Sequence, residues 1–380
     1  MSSADLVGSG SFSDLTLYLP ITVELNSFSN STARQDRATN SDFSLLTSSS
    51  TLSLWPGGRQ YSGVHEEQLI GALLTEYNRR EKSDFSVKLS VETGTFVCEI
   101  FLRVKYFQDK NRHVFHARRQ PKHPFSWREL NIAPQAQSEL LHPRLSAGGL
   151  VVICGSVGEG KTTVINSLIN ARVQAYGGVC ITIEDPVEVP QPEFVVCKKN
   201  ESIGHIIQRE YDNPEDCPAI VRETLRSYPA NESQNIMVVG ECRDSETASL
   251  ILESAIDGRL IITTVHANDP ISGLQRIAGY AAKKNGDEAY NQLADAFRVS
   301  YHQSLPLIDG VPTPVSNFIV DTSKFAALAR ARNWSGMRQE YNTFFSRLRS
   351  GSESPKHRSV AELRDGLRGK GVRNGLSSKR

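Results

Sequence analysis

The sequence lacks the features that would mark a secreted, membrane-spanning or nucleic-acid-coating protein. No run approaches the roughly 20 apolar residues that a membrane span needs, and the N-terminus has no basic region followed by an apolar stretch. Lys and Arg number 43 against 42 Asp and Glu, so the net charge of +1 gives no overall attraction to nucleic acid or anionic lipid. We therefore expect a soluble cytoplasmic protein that does not bind nucleic acid directly and reaches a membrane only through partners.

Cysteine is also scarce, and its spacing excludes the common zinc and redox motifs. The six cysteines form no C-x-x-C pair, and two of them lie in apolar runs that are typical of buried strands. This pattern favours reduced core thiols over disulfides or metal ligands. The six are Cys98, Cys154, Cys180, Cys197, Cys217 and Cys242.

What is present is enough for two ordinary folded units. With 380 residues, 39% of them hydrophobic and 22% charged, the chain is too long for one small domain. A helical pattern over 66–80 and strand-like runs on both sides of it predict a small α/β domain over 13–121. The other predicted segments are a flexible N-terminus over 1–12, a Ser/Thr-rich insertion near 26–53, a linker with a short helix over 122–145, a second domain over 146–345 and a basic flexible tail over 346–380.

The second domain has the pattern of a parallel sheet. Nearly continuous apolar runs occupy 150–154, 179–183, 236–240 and 260–264, with helical stretches between them. Strands that are apolar at every position are typical of sheets that are covered by helices on both faces. The sequence therefore predicts an α/β fold.

The first of these runs leads into a phosphate-binding pattern, G-x-x-x-x-G-K-[ST]. In this pattern glycines let successive backbone N–H groups point at phosphate oxygens, and the following helix offers the positive end of its dipole. Lys161 would reach the β- and γ-phosphates, and the hydroxyl of Thr162 would ligate Mg²⁺. The predicted loop consists of Gly155, Ser156, Val157, Gly158, Glu159, Gly160, Lys161 and Thr162, followed by Thr163.

Polar clusters follow the three remaining apolar runs. Glu184 and Asp185 follow the second run, Glu241 the third and His266 the fourth. Each has a structural alternative, because an acid before proline is a common turn, any buried strand can end in an acid, and a lone histidine is more often structural. Ligands of parallel sheets bind outside the carboxyl ends of the strands, so the coincidence of all three clusters favours a nucleotide site.

Together these segments resemble the type II/type IV secretion ATPase superfamily over about residues 95–310. GSVGEGKTT is similar to the family's phosphate loop, TIEDPVE to its aspartate box, VVGECRDSETA to its Walker B segment and TTVHAND to its histidine box. The segments 208–210 and 225–229 are similar to further elements, and 294–303 resembles the family's next helical segment. Glu159 stands where the family usually has Ser, and Cys242 stands where it has Ile. The sequence has no tetracysteine module, so the assembly-type branch is not expected.

The resemblance implies a RecA-like P-loop motor domain preceded by a smaller PAS-like α/β domain, with ATP and Mg²⁺ bound between the two. It implies that Glu184 is the base or water-orienting residue and that Glu241 and Asp185 support the metal, although the roles of Glu184 and Glu241 could be reversed. His266 would sense the γ-phosphate. Arg103 and Arg118 fall at positions that supply cationic charge to the nucleotide, or else they are ordinary solvated strand residues.

The resemblance also implies a homo-hexamer that works with inner-membrane platform or secretion-channel proteins. Conjugative or type IVB secretion is the preferred interpretation, and pilus retraction is the alternative. Other classes remain open: a P-loop kinase or GTPase, a nucleotide-gated scaffold without turnover, and a nucleic-acid motor. The sequence has no N-K-x-D motif for reading guanine, which disfavours the GTPase.

Overall fold

A computed structural model of the protein describes residues 14–20, 51–55, 59–61, 66–80, 82–93, 96–199, 201–229, 234–309 and 311–349. The predicted flexible N-terminus, most of the Ser/Thr-rich insertion and the tail from 350 onward lie outside the described residues. Internal contacts divide the chain into two units. The first unit comprises Met1–His123 and Asp185–Pro190, and the second comprises Pro124–Glu184 and Gln191–Arg380.

In the residues that the structure describes, the first unit consists of a six-stranded antiparallel sheet and one helix. Its strands are β1 (Asp14–Pro20), β2 (Thr51–Trp55), β3 (Arg59–Tyr61), β4 (Asp84–Thr93), β5 (Phe96–Asp109) and β6 (Arg112–Gln120), and its helix is α1 (Glu66–Arg80). The strand order is β3-β2-β1-β6-β5-β4. β2 begins at Thr51, within the last residues of the stretch that sequence assigned to an insertion.

Alternation along the strands and helical spacing along α1 build the core of this unit. Leu15, Leu17 and Leu19 of β1 are fully buried, since every second residue of a strand points to the same face. Leu69 and Leu73 of α1, four residues apart, are fully buried in the same cluster. The helix predicted over 66–80 is confirmed at both ends.

The second unit contains an eight-stranded mixed sheet. The strands are β7 (Gly149–Cys154), β8 (Val179–Glu184), β9 (Phe194–Val196), β10 (Ile203–Glu210), β11 (Asn235–Val239), β12 (Leu260–Val265), β13 (Phe297–Ser304) and β16 (Val315–Val320). Their order in the sheet is β16-β13-β7-β12-β11-β8-β10-β9. Six of the strands pair in parallel, and β9 and β16 at the edges run antiparallel to their neighbours. A separate hairpin joins β14 (Leu307–Ile308) to β15 (Val311–Pro312).

Helices cover both faces of this sheet, as the continuous apolar runs predict. On β7, Leu150 and Val152 belong to one buried cluster, and Val151 and Ile153 belong to another. The helices are α2 (Pro134–Leu140), α3 (Lys161–Tyr176), α4 (Cys217–Thr224), α5 (Ser245–Ile256), α6 (Pro270–Asn285), α7 (Glu288–Ala296), α8 (Ser323–Arg330) and α9 (Trp334–Arg349). Within the described part of the chain, no helix is long and apolar enough to cross a membrane.

One predicted element is wrong. The segment 294–303 resembles a helix of the family, but helix α7 ends at Ala296 and the strand β13 begins at Phe297. β13 pairs in parallel with β7 on one side and antiparallel with β16 on the other. Because buried positions occur on both faces of a central strand, its apolar pattern is nearly continuous and does not distinguish it from a buried helix.

Candidate functional site

The predicted phosphate loop connects β7 to α3, and its backbone has the conformation that the glycines predict. Gly158 has a φ of +83° and Gly160 a φ of +76°, values that residues with a side chain rarely adopt. Gly160 is the N-cap of α3, where no side chain caps the helix and no acid occupies the first turn. The first N–H groups of α3 are therefore available to an anion. Val157 at the tip of the loop is 83% exposed, so the loop is open to solvent.

Lys161, the first residue of α3, bends back over the loop. Its Nζ donates to the carbonyl oxygen of Gly155 at 2.9 Å and to that of Ser156 at 2.8 Å. It also lies 3.3 Å from Nδ1 of His266. The ammonium group is thus held at the mouth of the loop, where the phosphate-binding interpretation requires it.

His266 connects Lys161 to Glu241. Nε2 of His266 lies 3.4 Å from Oε1 of Glu241, and Arg243 donates to the other carboxylate oxygen at 2.7 Å. A lysine ammonium can only donate, so Nδ1 of His266 must accept and we assign the ring proton to Nε2, which faces the carboxylate. The structure therefore brings three of the predicted site residues, Lys161, His266 and Glu241, into one series of contacts.

The strand order explains which residues meet. His266 follows β12, the direct neighbour of β7, and Glu241 follows β11, the next strand. Glu184 ends β8, three strand spacings from β7, which is roughly 14 Å at the usual separation of strands. The polar clusters thus share the carboxyl edge of the sheet, but Glu184 lies farthest from the loop strand.

Two neutral side chains hold the carboxylate of Glu184. Oε1 accepts from the hydroxyl of Thr182 at 2.6 Å and from the amide of Gln208 at 3.2 Å, and the residue is 8% exposed. Sequence reasoning gave neither partner a role. The alternation of a strand places Thr182 on the same face as Glu184, but Gln208 is aligned with Thr182 only through the register of β10 and β8, which sequence does not reveal.

The two predicted arginines lie in the first unit and face one another across β5 and β6. Arg103 and Arg118 are aligned in the register of these strands. Like charges at such positions repel, and acidic residues compensate them: Arg103 pairs with Asp84 at 3.0 Å and with Glu188, and Arg118 pairs with Asp14 at 3.1 Å. Burial opposes the charge on Arg103, but the carboxylates of Asp84, Glu188 and Asp185 outweigh it and raise the pKa of the guanidinium.

Asp185, a predicted metal ligand, belongs to the first unit by its contacts. The carboxylate of Asp185 pairs with Lys82 at 3.2 Å. The chain leaves the second unit after Glu184 and returns to it at Gln191. The adjacent acids 184 and 185 are therefore held by different partners, one by hydroxyl and amide groups and the other by a cation.

Residues at the end of β13 and just after it form a further wall of the phosphate loop that sequence reasoning did not assign. The amide of Gln303 donates to the carbonyl oxygen of Glu159 at 2.7 Å, and the carboxylate of Glu159 accepts from the backbone N–H of Leu305. A methyl group at Gly160 would meet Nε2 of Gln303 at 2.9 Å. The φ of +76° therefore favours glycine here, and a side chain at this position would also displace the amide of Gln303.

The arrangement fits nucleotide phosphates with Mg²⁺. Magnesium binds in such sites through one or two protein oxygens together with phosphate oxygens. Thr162 is the second residue of α3 and supplies a hydroxyl, and Glu241 supplies a carboxylate. In the part of the chain that the structure describes, no group of three or more His, Cys, Asp or Glu could hold a metal ion by itself.

Cysteine chemistry does not suit this site. Cys154 ends the loop strand β7, and burial raises the pKa of its thiol to about 12. Burial also raises the pKa of the Cys242 thiol, next to Glu241. The five cysteines whose side chains the structure describes are buried and free of disulfides. Both thiols near the loop are therefore protonated at neutral pH and poor nucleophiles.

Comparison with known proteins gives one family match. Residues 101–308, more than half of the chain, match the family described as type II/IV secretion system protein. The competence protein ComGA of Bacillus subtilis is 25% identical over 208 residues, which cover 54% of this chain and 53% of ComGA. The type II secretion system protein HxcR of Pseudomonas aeruginosa is 30% identical over 148 residues, which cover 39% of this chain and 28% of HxcR. The chain thus spans about half or less of these relatives.

Solved structures resemble the chain over most of its length. The pilus retraction motor PilT, solved with bound ADP, has a TM-score of 0.62 at 17% identity, covering 96% of this chain and 97% of that chain. The ATPase DotB of Legionella pneumophila has a TM-score of 0.60 at 17% identity, covering 87% and 84%. At 17% identity the likeness shows the fold alone. That fold is a mixed α/β fold with a large sheet that contains parallel strands, so the predicted α/β class is confirmed.

Proposed function

We propose that this chain, which belongs to the type II/IV secretion system protein family, is an ATPase whose phosphate loop binds ATP with Mg²⁺. The observation that carries the proposal is the series of contacts from Lys161 through His266 to Glu241 at the mouth of the loop. A cation, a histidine and a carboxylate meet there beside the uncapped N-terminus of α3. Phosphate binding uses such a cation and the N–H groups of a helix N-terminus, and phosphoryl transfer uses a carboxylate to support the metal or to position the nucleophile.

Each group has a proposed task. The ammonium of Lys161, held by the carbonyl oxygens of Gly155 and Ser156, moves to the β- and γ-phosphates. His266 senses the γ-phosphate, because its ring lies against the ammonium that binds it. Thr162 and Glu241 would hold Mg²⁺, which would supply positive charge to neutralise the phosphates. Asp185, which pairs with Lys82, stays a predicted contributor to the metal site.

Glu184 is our proposed water-orienting residue. Two donors fix one oxygen of its carboxylate, and a fixed orientation is what positioning a nucleophilic water requires. Glu241 is engaged by His266 and Arg243, which suits metal support and coupling to the sensor. The contribution of Arg103 and Arg118 to the phosphates stays a prediction from sequence.

The proposed cellular role is that of a hexameric motor for a conjugative or type IV secretion machine, attached to the inner membrane through its partners. In this proposal the second unit is a RecA-like motor domain and the first unit is PAS-like. Pilus retraction is the second candidate, because the fold of PilT covers 96% of this chain. Genes for pilins and a membrane platform beside this gene would favour retraction, and genes for a relaxase and a coupling protein would favour conjugation.

The experiment measures phosphate release from Mg-ATP by the purified chain and by Glu241→Gln, together with binding of a fluorescent ATP analogue. We expect hydrolysis to fall about 100-fold or more in Glu241→Gln, because a charge at the metal is lost, while the analogue still binds. The control is Glu193→Gln, an exposed acid. Full activity in Glu241→Gln contradicts the proposed site, and equal turnover of small-molecule acceptors or strong stimulation by DNA would favour a kinase or a nucleic-acid motor.

A further inference from the structure

A groove of about 600 Å³ opens beside His266 and runs along α6. We call it the α6 groove; Asn268 and Asp269 line it at one end, and Arg276 and Lys283 line it along the helix. A side chain at Gly279, which lies between these two cations in the sequence, would meet no atom of the described residues within 4 Å. The glycine therefore leaves the floor of the groove open to an occupant.

The α6 groove carries an uncompensated positive charge. Arg276 and Lys283 are exposed, and within the described residues neither lies at ion-pair distance from a carboxylate. The acid that lines the groove, Asp269, is engaged elsewhere: it caps α6 and pairs with Arg338 at 3.0 Å. Burial opposes its charge, but hydrogen bonds from Ser272 and Arg338 lower the pKa of Asp269. The positive charges of Arg276 and Lys283 thus face the groove and favour an anionic occupant.

One contact connects the groove to the nucleotide site. The guanidinium of Arg276 donates to the backbone carbonyl oxygen of His266. The ring of the same histidine lies between Lys161 and Glu241. A carboxylate that binds Arg276 competes with the carbonyl oxygen of His266 for the guanidinium. Binding in the groove can therefore weaken a hydrogen bond that helps to position His266.

The described chain offers a complementary surface on the turn after β10. Glu215 and Asp216, adjacent and exposed, lie in this turn, and no cation of the described residues is within ion-pair distance of either. We call residues 212–216 the acidic turn. β10 is three strand spacings from β12, roughly 14 Å, so the acidic turn and the α6 groove are different surfaces of one unit.

We infer that the α6 groove receives the acidic turn of a second copy of this chain. Because the two surfaces are different, the contact is head-to-tail, and it closes into a ring when the rotation between copies closes. The inference rests on the proposed oligomeric ATPase and adds the interface between its copies. Through Arg276, binding of one copy's acidic turn would affect His266 of the neighbouring copy. Two charge pairs at such a contact contribute chiefly specificity and register.

The test uses charge reversal in the full chain: Lys283→Glu, Glu215→Lys and the two together. Sedimentation velocity at micromolar concentration with Mg-ATP measures assembly. Each single reversal places like charges opposite one another and should weaken association about tenfold, and the double reversal should restore it to within about threefold. The control is Lys284→Glu, since Lys284 is the next residue but pairs with Glu246 and does not line the groove.

The outcomes separate this inference from the proposed function. Normal assembly of both single variants, or failure of the double variant to recover, overturns the contact. If the contact is overturned but the wild-type chain hydrolyses ATP, the proposed ATPase function stands without this contact. If no variant and no wild-type sample hydrolyses ATP, the proposed function fails instead. If the assembly defect of the single variants disappears at high salt, the contact is supported, because salt screens the repulsion between exposed charges.

Discussion

At the scale of single residues, His266 is the point on which the candidate site depends. Its ring contacts the cation of the phosphate loop on one side and the acid after β11 on the other. Its backbone carbonyl group accepts from Arg276. A histidine at a strand end is weak evidence from sequence alone, and its two ring contacts are what support the proposed sensing role.

We predict that His266→Ala lowers kcat for ATP about 100-fold while KM changes less than about threefold. The reason is that phosphate binding depends on Lys161 and the backbone of the loop, whereas the link to Glu241 is lost. Steady-state phosphate release measures both constants. His123→Ala, at an exposed histidine, is the control. A rise in KM with kcat unchanged would assign His266 to binding alone.

The second residue-scale prediction concerns Glu184. Glu184→Gln keeps the size of the side chain and removes its charge, so we expect kcat to fall about 100- to 1,000-fold with nucleotide binding retained. Thr182→Val removes one of the two donors that orient the carboxylate and should cause a smaller loss. If Glu184→Gln turns over normally while Glu241→Gln does not, the roles of the two acids are reversed.

At the scale of elements, one acid beside the proposed site contributes to the fold as a helix cap. Asp244, three residues after Glu241, lies in the same family-like segment and is equally acidic in sequence. Its carboxylate accepts from the backbone N–H groups of Glu246 at 2.9 Å and Thr247 at 2.8 Å, which makes it the N-cap of α5. Its function is structural.

We predict that Asp244→Ala lowers the free energy of unfolding by about 1 kcal/mol, the usual cost of losing such a cap. Asp287 is a matched control, because it stands at the N-cap of α7 but its side chain caps nothing. Asp287→Ala should change stability by less than about 0.5 kcal/mol. Urea unfolding of the two variants measures the difference, and equal losses would contradict the capping argument.

The elements also show what sequence can and cannot predict. The strands at 150–154, 179–183 and 260–264 and the helix Glu66–Arg80 were predictable, because hydrophobic periodicity is local. β13 was not, because its nearly continuous apolar pattern also fits a buried helix, and the pairing that makes it a strand is with β7, which is distant in sequence. For the same reason the partners Gln208 and Gln303, which approach the site through strand pairing, could not be assigned beforehand.

At the scale of the whole molecule, the family was recognisable because its motifs are short, local and ordered along the chain. The match over residues 101–308 confirms that recognition. The order of the strands, which places His266 nearer to the loop strand than Glu241 and Glu241 nearer than Glu184, was not recognisable from sequence. The proposed roles follow this order. Phosphate binding lies at the loop after β7, γ-phosphate sensing by His266 after β12, metal support by Glu241 after β11, and water positioning by Glu184 at the end of β8.

The most direct test of this account measures phosphate release from Mg-ATP by the wild-type chain and by Lys161→Ala. The ammonium of Lys161 is the group that the loop holds for the phosphates, so we predict that the wild-type chain hydrolyses ATP and that Lys161→Ala releases no phosphate above background. Lys110→Ala, at an exposed lysine in the first unit, should match the wild-type rate. Equal rates for Lys161→Ala and the wild-type chain would contradict the assignment of the phosphate loop and, with it, the proposed ATPase.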